Sequence, residues 1–237
     1  MSRVALVTGG GRGIGLAIAR RLLADGYRVA VTYRSSPSPE EPGMLAVACD
    51  VTDTEQVDAA FDQIEAELGN VEVLVSNAGI TADMLVLRMS DDDFARVIDT
   101  NLAGALRVSR RAVQRMMRAR WGRIILISSV VGATGQAGQA NYAASKAGLV
   151  GLGRSLAREF ASRNVTVNVV APGPIATEMF EAVPDERREL IAGAVPLGRL
   201  GAAHEVAAAV AFLAGDDAGY ITGAVVPVDG GLGMGAW

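Results

Sequence analysis

The chain has 237 residues, of which 50% are hydrophobic, so it can bury a sizeable core within one domain spanning residues 1–237. Lysine and arginine total 22 against 26 aspartate and glutamate, a net charge of −4 that argues against nucleic acid as the main partner. The longest apolar runs, such as 207–214, are far shorter than the roughly 18 residues of a membrane span, and residues 1–10 lack the apolar segment of a signal peptide, so we expect a cytoplasmic protein.

One cysteine and one histidine limit the chemistry of the chain. A single thiol cannot form an intrachain disulfide, and these two ligands are too few for a structural zinc site, so no metal centre is expected. Cys49 lies in the apolar run 45–51, which predicts a buried strand thiol. His204 opens the apolar run 206–213, a position typical of a helix start or a surface rather than of a catalytic base.

Short runs rich in β-branched residues alternate along the chain with longer segments of helical period. The seven predicted strands are residues 3–8, 28–33, 45–49, 72–76, 123–128, 165–170 and 224–228. Strand, helix, strand repetition requires parallel pairing through crossovers, and strands covered by helices on both faces are apolar throughout. The predicted fold is therefore α/β, a doubly wound, Rossmann-type sheet of seven parallel strands with helices on both faces.

The connections after the second and third strands carry their own signals. An apolar stripe at Val57, Phe61 and Ile64 predicts a helix, and we expect it to begin at a capping box of Thr52 and Glu55. Residues 35–43 contain three prolines where a second crossover helix would otherwise stand, which favours a loop. A second proline-rich segment, 174–199, is expected to form a substrate lid.

A glycine-rich turn, TGGGRGIG at residues 8–15, follows the first strand and opens the first helix. Its spacing is not that of the common dinucleotide fingerprint. Even so, Gly9, Gly13 and Gly15 permit a tight turn and bring backbone N–H groups close to an anion, beside the positive end of the helix. We predict that this turn, including Ile14, binds the phosphates of a dinucleotide.

The end of the second strand predicts the choice of cofactor. A carboxylate that would select NAD is absent there, whereas Arg34 and Arg12 are available to pair with a 2′-phosphate, so NADP is predicted. The alternative is that Arg34 is only a solvated surface charge. Further cofactor-binding residues are predicted where the third and fourth strands end, namely Asp50, Val51, Asn77, Ala78 and Gly79.

Tyr142 and Lys146 are four residues apart in the helical segment 141–161, so both side chains emerge on one face. A neighbouring ammonium favours the phenolate, and we therefore expect the pKa of Tyr142 to be lowered. This pair is common by chance, and its meaning depends on its context.

That context is a set of motifs in a fixed order. The turn at 8–15, Asn77-Ala78-Gly79, Asn101, Ser129, the Tyr142 and Lys146 pair and the segment 172–177 together resemble the short-chain dehydrogenase/reductase family over the entire chain. The stretches 139–148, 168–173 and 228–231 look like its 3-oxoacyl-[acyl-carrier-protein] reductase (FabG) branch. The short connection at 35–43 and the ending 231–235 look most like the actinobacterial MabA type.

The resemblance implies a role for each matching residue. Tyr142 would donate a proton to a substrate carbonyl while NADPH delivers hydride, and Ser129 would orient the carbonyl oxygen. Lys146 would hold the nicotinamide ribose and depress the pKa of Tyr142, and Asn101 would anchor a water that passes protons inward. The nicotinamide carboxamide would meet Ile175 and Thr177. Two positions depart from the usual pattern: Ser128, where glycine also occurs, and Pro174, where a bulky residue is frequent.

The resemblance also implies partners. An acidic acyl-carrier protein would dock through Arg120 and Arg163, although basic residues at helix ends also favour the helix dipole without any partner. The family assembles as a homotetramer through the Tyr142 helix and the last strand. The apolar lid residues would either line an acyl groove or simply pack the lid: Met179, Phe180, Leu190 and Ile191.

Three functions remain open at this point. The first is NADPH-dependent reduction of 3-oxoacyl thioesters to 3-hydroxyacyl thioesters in fatty-acid synthesis. The second keeps the chemistry but acts on acetoacetyl-CoA or on a free ketone, sugar or quinone. The third is a cofactor-sensing binding protein without catalysis, which the presence of Asn101, Ser129, Tyr142 and Lys146 disfavours.

Overall fold

A computed structural model of the chain describes residues 2–35, 41–177 and 185–237. Its centre is a parallel sheet of seven strands in the order β3-β2-β1-β4-β5-β6-β9. This confirms the predicted fold and all seven predicted strands. The sheet strands are β1 Val4–Val7, β2 Arg28–Tyr33, β3 Met44–Ala48, β4 Val71–Ser76, β5 Gly122–Ile127, β6 Val165–Pro172 and β9 Val225–Val228.

Helices connect these strands and cover both faces of the sheet. They are α1 Gly13–Ala24, α2 Thr54–Glu67, α3 Asp91–Ile98, α4 Gly104–Ala119, α5 Val131–Thr134, α6 Ala140–Phe160, α7 Asp185–Ala194 and α8 Ala203–Ala214. A π-helical turn, Asp99–Ala103, joins α3 to α4, and two short strands, β7 Ile175–Ala176 and β8 Gly201–Ala202, form a separate pair. None of the described helices is long and apolar enough to cross a membrane.

Two apolar cores flank the sheet. Leu74 of β4 packs with Phe61 and Ile64 of α2 in the first core, which α4 and α6 complete. Its neighbour Val73 belongs to the second core, where Ile18 of α1 lies with residues of α8. Successive side chains of a strand point to opposite faces, so apolar layers on both sides explain why the strands are apolar throughout.

The predicted start of α2 was wrong by one residue. Asp53, and not Thr52, precedes the helix in an extended conformation, and its carboxylate accepts hydrogen bonds from the backbone N–H groups of Glu55 and Gln56. The Thr52 hydroxyl instead donates to Asp50 at 2.7 Å. Both residues are good N-caps, and only the backbone path decides which of them faces the first turn.

Three further local predictions concern Cys49, His204 and the segment 35–43. Cys49 is buried, as predicted, and burial raises the pKa of its thiol to about 11. His204 is exposed in the first turn of α8, also as predicted. Within the segment 35–43, residues 36–40 lie outside the described part of the chain, and residues 35 and 41–43 are not helical.

Candidate active site

The carboxyl ends of β1, β4, β5 and β6 meet at one edge of the sheet. Between β1 and β4 the strand order reverses, and in open α/β sheets this reversal opens a crevice beyond the strand ends. The glycine turn follows β1, Asn77 follows β4 and Ser129 comes two residues after β5. The predicted cofactor turn and the predicted catalytic residues therefore lie along the same edge.

Close backbone contacts shape the glycine turn. Gly9 has a φ of +63°, which favours glycine, and a Cβ added to Gly15 would lie 2.4 Å from the Gly9 carbonyl oxygen. The Asn77 side-chain amide donates to the carbonyls of Thr8 and Gly9 at 3.0 and 3.1 Å. The Thr8 hydroxyl in turn accepts from the backbone N–H groups of Asn77 and Ala78, both at 3.0 Å. These contacts fasten the turn to the end of β4.

The first turn of α1 leaves donors available for an anion. No side chain caps the helix at Arg12, and in the described part of the chain the N–H groups of Gly13, Ile14 and Gly15 have no acceptor. Three such groups at a positive helix end fit a phosphate. Thr177 lies across from them, with its methyl carbon 3.8 Å from where a Gly13 Cβ would stand. The two predicted ends of the cofactor site thus approach each other.

Arg12 and Arg34 are both exposed near this turn, and neither has a carboxylate partner among the described residues. Asp50 stands at the end of β3, where one carboxylate oxygen accepts from the N–H and the hydroxyl of Thr52. Val51 is buried against α4, because a Cβ on Gly104 would come within 2.8 Å of it. The predicted cofactor residues therefore lie at the ends of neighbouring strands, and the two arginines there are free to pair with an anion as far as the described residues go.

Tyr142, Lys146 and Ser129 come together beside β5. The Lys146 ammonium lies 5.6 Å from the centre of the Tyr142 ring and donates to the Ile127 carbonyl at 2.8 Å. The Ser129 hydroxyl lies close enough to the Tyr142 phenol to lower the pKa of that phenol. A serine, a phenol and an ammonium at the end of a parallel strand can orient and protonate a carbonyl oxygen.

The two adjacent serines have different surroundings. Ser128 is buried, and its hydroxyl donates to the Lys146 carbonyl at 2.8 Å, so it ties β5 to α6. Ser129 is half-buried and also accepts from the backbone N–H of Val131 at 3.3 Å. Ser129 is thus the serine that can reach a substrate.

Burial has the largest effect on the pKa values of both Tyr142 and Lys146. It raises the pKa of Tyr142, with the Ser129 hydroxyl opposing and the charge of Asp83 adding to the effect. Burial also lowers the pKa of Lys146 to about 8. The expected lowering of the Tyr142 pKa by Lys146 is therefore not seen in the protein alone, because removing the phenol from water outweighs the effect of a neighbouring ammonium that is itself poorly solvated.

Asn101 lies in the π-helical turn, a feature found often at functional sites. Its side-chain oxygen accepts from the Ile80 N–H at 2.8 Å, and its amide donates to the Ile80 carbonyl and to the Ser145 hydroxyl, both at 3.0 Å. A Cβ on Gly79 would stand 3.1 Å from that oxygen and 3.6 Å from the Lys146 ammonium. Gly79 therefore keeps open the space between Asn101 and Lys146.

The sequence-based analysis missed a group of residues beside Tyr142. Asp83 accepts from the Gln139 side chain at 2.8 Å, and the Asn141 amide donates to the Ala82 carbonyl at 3.0 Å. Gln139 and Asn141 belong to the stretch 139–148 that carries the family resemblance, but no role could be assigned to them from the sequence, because their partners lie more than 50 residues away along the chain. The flanking position of Gln139 and Asn141 next to Tyr142 was the one available signal.

The remaining predicted residues lie apart from this group. Arg120 ends α4, and its guanidinium donates to the Ser162 carbonyl at 3.3 Å, next to Arg163. This is the far end of α6, which is about 21 Å along the helix from Lys146 at 1.5 Å per residue. In the segment 174–199, Ile175 is buried and Leu190 is exposed, whereas Met179 and Phe180 lie outside the described residues.

Comparison with known proteins gives matches over almost the whole chain. The family model described as enoyl-(acyl carrier protein) reductase matches residues 9–233. The 3-oxoacyl-[acyl-carrier-protein] reductase MabA of Mycobacterium tuberculosis is 54% identical over 235 residues, covering 99% of this chain and 94% of the relative. MabA of Mycobacterium avium is 56% identical over 238 residues, covering 99% and 91%, and FabG of Escherichia coli is 49% identical over 243 residues, covering 98% of each.

These matches extend over the glycine turn, the Tyr142 and Lys146 pair and the last strand alike. The sheet order and the shared edge of the strand ends agree with them. The resemblance drawn from the motifs is thereby confirmed. The chain belongs to the short-chain dehydrogenase/reductase family, whose members are oxidoreductases that use a nicotinamide cofactor.

Proposed function

We propose that the chain is an NADPH-dependent 3-oxoacyl-[acyl-carrier-protein] reductase of fatty-acid synthesis, which reduces 3-oxoacyl thioesters to 3-hydroxyacyl thioesters. The observation that carries the proposal is the approach of Ser129, Tyr142 and Lys146 at the strand edge that also holds the glycine turn. Relatives about half identical to the chain over nearly their full length bear this enzyme name. A cytoplasmic location accompanies the proposal.

In this reaction the ketone carbon gains a hydride and its oxygen gains a proton. A bound nicotinamide cofactor supplies the hydride. The Tyr142 phenol donates the proton, and because burial raises its pKa, the phenol keeps that proton at neutral pH until the carbonyl oxygen becomes basic. Ser129 donates a hydrogen bond to the same oxygen. Lys146 holds the ribose and supplies positive charge beside the phenol as the proton leaves.

Proton replacement is proposed to pass between Lys146 and Asn101. Gly79 leaves room there for a small molecule such as water, bounded by the Asn101 oxygen and the Lys146 ammonium. The ammonium of Lys146, with a pKa of about 8, can give up and regain a proton near neutral pH. This route would return a proton to Tyr142 after each turnover.

The choice of NADP over NAD is proposed on charge. Arg12 and Arg34 are exposed and lack a carboxylate partner in the described part of the chain, and no acidic side chain ends β2. A 2′-phosphate would give these guanidinium groups an anion to pair with, whereas a 2′-hydroxyl would not. The proposed phosphate and ribose contacts are Gly9, Gly13, Ile14, Gly15, Asp50, Val51, Asn77, Ala78 and Gly79, with Ile175 and Thr177 at the nicotinamide.

A homotetramer and an acyl-carrier protein are the proposed partners. Apolar side chains exposed on α3, on α4 and on the segment before α3 support contact with a second copy of the chain: Leu85, Val86, Leu87, Phe94 and Leu106. Arg120 and Arg163 are exposed and have no acidic partner among the described residues, which suits an acidic carrier. Because these two arginines lie at the far end of α6 from Lys146, we propose that a carrier held there serves the active site of a neighbouring subunit.

A second candidate is reduction of an enoyl double bond, because the matching family model carries that description. One set of initial-rate measurements separates the two candidate reactions. It compares 3-oxoacyl thioesters of increasing chain length, an enoyl thioester and a free ketone, each with NADPH and with NADH.

We expect NADPH oxidation with 3-oxoacyl thioesters, and a loss of at least about 100-fold in kcat in the variant Tyr142→Phe, which removes the proton donor but keeps the ring. Ser128→Ala serves as the control, since that hydroxyl donates its hydrogen bond to the Lys146 backbone carbonyl and is turned away from the phenol. Turnover of the enoyl thioester alone would favour the second candidate. Absence of turnover with every thioester would refute the proposed function.

A further inference from the structure

Arg107, on α4, joins two segments that are far apart in the sequence. Its Nη2 donates to the Asp99 carboxylate at 2.7 Å, and its Nη1 donates to the Val51 carbonyl at 3.4 Å and to the Asp99 carbonyl at 3.5 Å. Only 21% of the side chain is exposed, so this ion pair is partly shielded from water. One guanidinium thus holds the loop after β3 next to the π-helical turn that precedes α4.

The loop 50–53 is held from both sides. On one side, the Asp53 carboxylate accepts from the first N–H groups of α2. On the other side, Val51 is buried against α4, where a Cβ on Gly104 would stand 2.8 Å from its side chain. Gly104 and Arg107 are three residues apart and therefore share one face of α4. That face contacts the Val51 side chain at Gly104 and the Val51 carbonyl at Arg107.

The π-helical turn connects Arg107 to the active site. Asp99 opens the turn, and Asn101 lies two residues later. The Asn101 amide donates to the Ser145 hydroxyl at 3.0 Å, and that hydroxyl donates to the Tyr142 carbonyl at 2.7 Å. A continuous series of contacts therefore runs from the loop after β3, through the guanidinium, to the first turn of α6.

We propose that Arg107 is a positioning residue, which holds the loop 50–53 for the adenosine half of the cofactor and also holds the π-helical turn that carries Asn101. The proposal rests on the proposed function, which assigns the cofactor to Val51 and the proton path to Asn101. A planar guanidinium presents donors in several directions and can serve both segments, whereas a lysine ammonium has a single donor atom. Arg107 acts through these two segments and is not placed on the reacting atoms.

The variant Arg107→Met tests the contact with the loop, since methionine keeps much of the apolar stem and removes every donor. We expect NADPH and adenosine 2′,5′-bisphosphate to bind about 3- to 10-fold more weakly by calorimetry, because the loop that meets the adenosine half is no longer held. Reduced nicotinamide mononucleotide lacks that half of the cofactor, so its affinity, measured from its fluorescence, should stay within about twofold. A merely structural role of Arg107 would weaken both fragments alike.

The variant Arg107→Lys separates the two segments. Its ammonium can still pair with Asp99 but cannot reach the Val51 carbonyl as well, so adenosine bisphosphate should bind as weakly as to Arg107→Met while kcat stays near the wild-type value. In Arg107→Met we expect kcat at saturating NADPH to fall about 2- to 5-fold, because the π-helical turn is released. Equal kcat values in the two variants would overturn the link to Asn101.

A matched control lies three residues further along α4. Arg110 is exposed and has no partner among the described residues. Arg110→Met removes the same charge from the same helix and should leave fragment affinities and kcat unchanged. If the chain prefers NAD, NADH and adenosine monophosphate take the place of NADPH and the bisphosphate in every arm.

Nitrogen NMR of asparagine labelled at the side-chain amide makes the outcome independent of turnover. The Asn101 signal, assigned with Asn101→Asp, should move or broaden in Arg107→Met and keep its wild-type position in Arg107→Lys and Arg110→Met. This result, with the loss of affinity confined to the adenosine fragment, supports the proposal even if no thioester is reduced. Equal weakening of the two fragments, or an Asn101 signal that is the same in Arg107→Met as in the wild type, would overturn it.

Discussion

Lys146 is an amine buried among backbone groups, with a hydrogen bond to the Ile127 carbonyl and 4% of its surface exposed. A group of this kind favours its neutral form, which is why its pKa falls to about 8. The pairing with Tyr142 could be predicted from spacing alone, whereas this burial could not, since it depends on how β5 packs against α6.

The burial of Lys146 predicts how stability depends on pH. Between about pH 8 and 10.5 the unfolded chain binds a proton at this amine and the folded chain does not, so the free energy of unfolding rises with pH across that window. Below about pH 8 both states are protonated and the folded protein carries the full cost of a buried charge. We expect a rise of up to about 3 kcal/mol relative to Lys146→Met, measured by urea unfolding. Parallel pH profiles for the two proteins would contradict this.

At the scale of secondary-structure elements, the sheet and the strand ends that carry the site could be predicted from the sequence. Alternation of apolar strands with helical segments gave the order of elements, because parallel strands buried on both faces leave a clear pattern. The cap of α2 was missed because Thr52 and Asp53 are chemically alike as caps. The contacts of Asp83 were missed because they join distant segments and no periodicity records them.

The glycine turn gives a prediction at this scale. In Gly15→Ala the new Cβ would meet the Gly9 carbonyl at 2.4 Å and the Asn77 amide at 2.6 Å, so the turn or α1 must move. We expect a loss of about 1 to 3 kcal/mol in the free energy of unfolding, together with weaker NADPH binding measured by calorimetry.

A matched control for this change lies in α7. A Cβ on Gly193 would meet nothing within 4 Å, so Gly193→Ala should leave stability equal or slightly raised through helix propensity. Normal nucleotide affinity and stability in Gly15→Ala would mean that the turn does not approach the phosphates as closely as its backbone contacts suggest.

At the scale of the whole molecule, the helix α6 connects the active site at its start to the basic residues at its end. Tyr142 lies near its start, Gly151 near its middle is exposed with nothing close to its Cβ position, and Arg163 follows its end. In a two-fold, antiparallel pairing of this helix about Gly151, Arg163 of one subunit would face residue 139 of the other. The proposed tetramer would thereby bring the docking arginines of one subunit to the entrance of its neighbour.

Mixed oligomers test this arrangement. The double variant Arg120→Glu with Arg163→Glu should lose activity on carrier-bound substrates but keep activity on the coenzyme A thioester, because that thioester has no acidic protein surface to dock on the arginines. Co-expressed with Tyr142→Phe, it should regain about a quarter of the wild-type carrier-dependent activity, since half of the pairs are mixed and each mixed pair has one complete site. No recovery, while native mass spectrometry detects mixed oligomers, would place docking within one subunit.

The opposite orientations of Ser128 and Ser129 after β5 limit which sequence changes this enzyme can tolerate. Ser128 faces inward to the Lys146 carbonyl and Ser129 faces the phenol because consecutive residues of an extended chain point in opposite directions. A point substitution at Ser128 affects only the link between β5 and α6, and one at Ser129 affects only the side facing the phenol. Insertion or deletion of a single residue in β5 would instead reverse the directions of both side chains at once. We therefore expect the protein to tolerate insertions and deletions outside β5 but not within it.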